Sequence, residues 1–117
     1  MFGLTERQIA YYMSETAKKL SLGIMIEGVS LHSLKQISVP KGDLWHAFKM
    51  NDEGFVGFGE AYLTQIEPHQ IKGWKRHNRY VLNIVVIVGA VKFVIYDDRQ
   101  ESITRGQFEE IILSPHL

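Results

Sequence analysis

The segment IKGWKRHNR, residues 71–79, gathers four cations (Lys72, Lys75, Arg76 and Arg79) and one histidine, His77, around Trp74. Such a cluster can grip a phosphate, ligate a metal, move a proton, or simply form a solvated turn. Residues two apart on a strand share one side, so Lys75 and His77 have the spacing of a paired ligand or acid–base site. A lysine ammonium is a poor ligand until deprotonated, and His32, His46, His69 and His116 are isolated in sequence. Two ligands do not make a site, so no metal is expected. Acid–base chemistry fits these residue types better. Crowding of Lys75 by the neighbouring cations, or walling by Trp74 and apolar strands, would disfavour its charged form and suit it to act as a base. His77 needs no such shift. Either can take a proton next to a carbonyl while the remaining cations hold an enolate or a phosphate. Nucleophile-elbow and phosphate-loop motifs are missing. A solvated turn between strands stays open as the plainer reading of so charged a stretch.

Composition narrows the setting. The chain has 117 residues, enough for one compact domain, with 45% hydrophobic and 22% charged residues, which argues against disorder. Thirteen Lys and Arg balance thirteen Asp and Glu, so no global field draws the protein to nucleic acid or an acidic membrane, and any anion site is local. There is no cysteine, which excludes disulfides, zinc fingers, thiol catalysis and iron–sulfur clusters. The N-terminal MFGLTERQIAYYMSETAKK is charged throughout and does not read as a secretory signal. The apolar run from Val81 to Tyr96 is broken by Asn83, Gly89 and Lys92, and falls short of the roughly 20 residues of a membrane span. A cytoplasmic protein is the expectation.

The elements that must position the cluster follow from periodicity. Thr5 and Gln8 have capping-box spacing, and Ile9, Met13, Ala17 and Leu20 recur at helical intervals before Gly23. This predicts one N-terminal amphipathic helix of about four turns. After it, β-rich segments alternate with turn residues. VSLHSL, LWHAFKM and EAYLTQI are followed by the β-branched VLNIVVIV and AVKFVIY, joined at Gly89, and by QFEEIILS. Short strands at near-regular spacing predict an all-β sandwich or barrel. The two central strands are nearly all apolar, so both their faces are expected to be covered, with Lys92 reaching solvent.

Several segments, in order, carry a resemblance: MIEGV (25–29), YLTQIEP (62–68), IKGWKRH (71–77), VGAVKFVIYDDR (88–99) and EEIILS (109–114). Together they resemble the front two-thirds of the dTDP-4-dehydrorhamnose 3,5-epimerase-like proteins. The resemblance implies a cupin-type jelly roll, a double-sheet antiparallel β-sandwich, over residues 25–117, with its C-terminal strands lying beyond this chain. Residues 1–24 would be a helical extension. It further implies an isomerase of a nucleoside-diphosphate 4-keto-6-deoxyhexose that needs no cofactor and no metal, in deoxysugar and cell-surface polysaccharide biosynthesis, working as a homodimer. Lys75 stands where the family has its base histidine, with His77 two residues on, so these two are the catalytic candidates. Lys72, Trp74 and Arg76 are the substrate-binding candidates, and Arg99 is expected to be structural. Two alternatives share the scaffold: a sugar-nucleotide 3,4-ketoisomerase, and an inactive cupin that binds a sugar nucleotide or a partner.

Overall fold

The computed structural model describes residues 2–4, 9–12 and 26–115. Among them the chain forms β1 (Phe2–Leu4), β2 (Ile9–Tyr12), β3 (Val29–His32), β4 (Lys35–Ile37), β5 (Leu44–His46), β6 (Lys75–Arg76), β7 (Leu82–Ile84), β8 (Val91–Asp97) and β9 (Phe108–Leu113). One sheet has four strands in the order β6-β1-β8-β9, a second has three in the order β3-β2-β7, and β4 and β5 pair by themselves. The β8–β9 and β4–β5 ladders are antiparallel, while β1 and β2 lie parallel to both of their neighbours. Among the described residues there is no helix long and apolar enough to cross a membrane.

The alternation of VKFVIYD and FEEIIL sets the core. Successive strand residues face opposite sides, and the register pairs Phe93 with Ile111 and Val91 with Leu113. Phe93, Ile95, Ile111 and Leu113 are buried, and they pack with Ile26 and Val29 and with the half-buried Leu31, Leu82 and Ile84. Residues of the four-stranded and three-stranded sheets thus share one apolar layer, and the architecture is all-β.

Several expectations change. Of the helix expected over Thr5 to Leu22, Ile9–Tyr12 are strand, and its other residues lie outside the described ones. The stretch Ile-Ala-Tyr-Tyr is β-branched and aromatic, and β2 pairs on both edges, with β3 and β7. Long-range pairing on both edges, together with the strand preference of Ile and Tyr, prevails over the local helical spacing. EAYLTQI forms no strand, and its Tyr62 and Leu63 are 65% and 85% exposed. The run VLNIVVIV narrows to β7, and Ile87 and Val88 are exposed before Gly89, whose φ of 76° suits glycine in the turn to β8. The central strands are therefore not covered on both faces. On β8 the odd positions Phe93, Ile95 and Asp97 are buried, while Val94 and Tyr96 are only half-buried. Lys92 reaches solvent, 2.9 Å from Glu110.

A buried polar knot closes one end of this layer. Asp97, fully buried at the end of β8, accepts hydrogen bonds from Arg99 Nε and one terminal guanidinium nitrogen (2.8 Å each), and from the hydroxyls of Ser102 and Thr104 (2.6 Å each). Burial alone would push the Asp97 carboxyl up, but the bonds from Arg99, Ser102 and Thr104 outweigh it and hold the group well below the usual carboxylate range. Arg99 also donates to the Glu27 carbonyl, and the Glu27 N–H donates to Thr104 Oγ1 at 3.0 Å. Nearby, the Ile26 N–H donates to Glu109 Oε2 at 2.9 Å; burial raises the Glu109 carboxyl, and that one bond opposes it. The knot ties the turn before β3 to the loop between β8 and β9. Arg99 is thereby placed as a structural residue.

Candidate functional site

The four-stranded sheet has a second face, opposite the apolar layer. Its register sets Arg76 beside Gly3, Gly3 beside Tyr96, and Tyr96 beside Phe108 in one row across four strands. Residues in one row share a face. The row one step earlier runs Lys75, Phe2, Ile95, Glu109, and Ile95 is fully buried in the core.

An open cleft of about 370 Å³ lies on this outer face, bordered by Trp74, Lys75, Arg76, Tyr96, Asp98 and Phe108. Three aromatic rings form its wall. Tyr96 and Phe108 have centroids 4.5 Å apart at an interplanar angle of 33°, and Trp74 reaches to 6.2 Å from Phe108 at 56°. Offset and tilted rings at these separations attract through their quadrupoles. Trp74 and Phe108 nevertheless remain 52% and 62% exposed, so the wall offers apolar surface to a ligand. At its rim, an Arg76 guanidinium nitrogen sits 3.1 Å from Asp98 Oδ2.

The five residues singled out by sequence are divided. Trp74, Lys75 and Arg76 border the cleft. Lys72 turns instead to the 64–65 segment, 3.1 Å from Thr64 Oγ1 and donating to the Gln65 carbonyl. His77 is half-buried just beyond β6, with its Nε2 shielded from solvent and its ring edge-on to Tyr80 at 6.3 Å. Alternation along a strand gives Lys75 and Arg76 opposite faces and keeps Lys75 on the same side as the position of His77. Tyr96, Asp98 and Phe108 escaped the sequence reading. Their signal was the alternation of β8 and β9: once Phe93, Ile95 and Asp97 face the core, Tyr96 cannot. Among the described residues no group of three or more His, Asp or Glu side chains gathers as metal ligands would.

The arrangement offers cations and flat apolar surface together, which suits an anionic ligand carrying a ring. In comparison with characterised proteins, 93 residues of the chain are 26% identical to the probable low-salt glycan biosynthesis epimerase Agl13 of Haloferax volcanii, covering 78% of this chain. The match spans 60% of that relative's length. No family model matches the chain, and no solved structure matches it.

Proposed function

We propose that the protein acts on a nucleoside-diphosphate 4-keto-6-deoxyhexose, epimerising the sugar at carbons 3 and 5 during deoxysugar and cell-surface polysaccharide assembly. The observation that carries this reading is the aromatic and cationic cleft at residues 74–76. The likeness to a glycan biosynthesis epimerase supports it. In this reading residues 25–117 are the front of a cupin jelly roll, residues 1–24 precede it as an extension, and two chains associate as a homodimer.

The chemistry asked of the residues is limited. The 4-keto group acidifies the hydrogens on the carbons beside it. Unprotonated Lys75 or His77 takes one of these, the electron pair moves onto the keto oxygen as an enolate, and the carbon regains a proton from solvent on the opposite face as the enolate collapses back to the ketone. Arg76 provides positive charge for the diphosphate or the enolate, Trp74 packs against the ring, and Lys72 joins them only by leaving its contacts with Thr64 and Gln65.

The test is solvent exchange. In heavy water, a dTDP-4-keto-6-deoxyhexose incubated with the protein gains deuterium at C3 or C5, read by NMR. No exchange above the protein-free rate sinks the proposal. Lys75→Met slows exchange by roughly 10²–10⁴-fold if Lys75 is the base. Lys75→His that raises exchange instead marks a position where the base has been lost.

A second reading has one specific observation in its favour. Neither Lys72 nor His77 borders the cleft, and Lys75, at its edge, shares a row with Ile95 on the other face of the sheet, which leaves chiefly binding groups there. A protein that holds the sugar nucleotide without converting it fits that division. It shows itself as binding without exchange. A 3,4-ketoisomerase shows itself as a product whose keto group has moved to C3.

A further inference from the structure

Two consecutive acids at the end of β8 are each engaged by an arginine, and the two pairs differ in kind. Asp97 faces the core, where it is 0% exposed and its partner Arg99 is 10% exposed. Three further hydroxyl and backbone groups hold that pair in place. Asp98, one residue on, faces the cleft. Its side chain is 37% exposed and that of Arg76 is 62% exposed, and they meet through one contact at 3.1 Å. The first pair is locked into the fold, whereas the second stands in solvent at the rim of the aromatic wall.

We propose that Asp98 is the internal counterion of the cleft, holding Arg76 in an exchangeable ion pair that a ligand's phosphate or diphosphate group must displace, so that Asp98 sets anion affinity on this face. The proposal rests on the reading of Arg76 as an anion partner given above. A single exposed pair in high dielectric is weak, so an incoming diphosphate, with more charge and several acceptor oxygens, can take the guanidinium from it. Asp98 then acts as a filter. A ligand with one weak acceptor does not repay the broken pair, whereas a diphosphate does. The three aromatic rings beside the pair add affinity only for ligands that carry a ring as well. Asp98 is a positioning residue and touches no reacting atom.

Titration calorimetry on the 117-residue chain tests this, with inorganic pyrophosphate and thymidine diphosphate as probes. Pyrophosphate reads the anion grip alone, and the nucleotide adds the aromatic wall. Asp98→Asn should tighten both by roughly two- to fivefold, the value of an exposed pair. Arg76→Gln should weaken both, and in that background Asp98→Asn should give no gain. A gain of equal size with and without Arg76 overturns the proposal, because Asp98 then repels anions at a distance and does not compete for the guanidinium. Asp98→Asn that leaves affinity unchanged or weaker also overturns it, as does wild-type protein that binds neither probe. If Arg76→Gln changes nothing, the reading of Arg76 as an anion partner fails as well. If Arg76 matters and Asp98 does not, only the counterion idea fails. Neither outcome depends on whether the sugar exchanges deuterium.

Discussion

Asp97 shows what one side chain can carry in this fold. Its carboxylate gathers bonds from Arg99, Ser102 and Thr104 while fully buried. Asp97→Asn leaves Arg99 without its counter-charge, and we expect it to cost about 3–5 kcal/mol of stability in denaturant titration. The pH dependence follows from the depressed carboxyl. Folding favours the ionised form, so the contribution is present above the ordinary 3.8 and is lost as pH falls from there toward the lower folded value. Wild-type protein should therefore lose stability steeply below about pH 4, and Asp97→Asn should lose less over the same window. Glu109 has the opposite sign. Its raised carboxyl contributes fully below the ordinary 4.5 and less as pH rises through the folded value, so it does not explain an acid loss. The family resemblance pointed to Arg99 as structural. It did not reveal the partner, because Asp97, Asp98, Ser102 and Thr104 look alike in a polar turn until strand alternation decides which faces inward.

At the scale of strands, β8 was legible and its environment was not. The pattern VKFVIYD announced a strand, and its apolar content suggested cover on both faces. In the fold only the face of Phe93 and Ile95 is buried. Phe93→Ala should therefore cost about 3–5 kcal/mol, whereas Phe108→Ala, on the exposed cleft face, should cost about 1 kcal/mol or less. Equal costs in thermal or denaturant unfolding would mean that both faces are covered after all. The same limit explains Ile9–Tyr12. Helical spacing of Ile9, Met13, Ala17 and Leu20 is a local signal, while β2 is made by neighbours at positions 29–32 and 82–84, which no window along the chain can see. The basic segment was found by composition. Trp74, Lys75 and Arg76 border the cleft while Lys72 and His77 do not, and only the register of the two-residue strand β6 shows that Arg76 shares a row with Tyr96.

Across the whole molecule, two sheets share one apolar layer, and many large hydrophobic side chains remain outside it, among them Phe58, Leu63, Ile71, Val88 and Ile103. All-β class was legible from strand spacing. The parallel placement of β1 and β2 was not, since nothing in FGL or IAYY names its distant partners. That placement has a mechanical consequence. The four-stranded order β6-β1-β8-β9 means that the strand bearing Lys75 and Arg76 is joined by backbone pairing to the strand leading to Asp98 only through Phe2–Leu4. Three residues near the start of the chain are thus the spacer between the two banks of the cleft, and the width of the gap is one strand. Removing residues 1–4 should let the banks drift apart. Hydrogen exchange at 74–76 should rise and pyrophosphate binding should fall, while the β8–β9 hairpin stays protected. Unchanged exchange at 74–76 would show that the aromatic bridge from Trp74 to Phe108 spans the gap without it. The gap between the two banks is therefore set by residues that lie far from Arg76 along the chain.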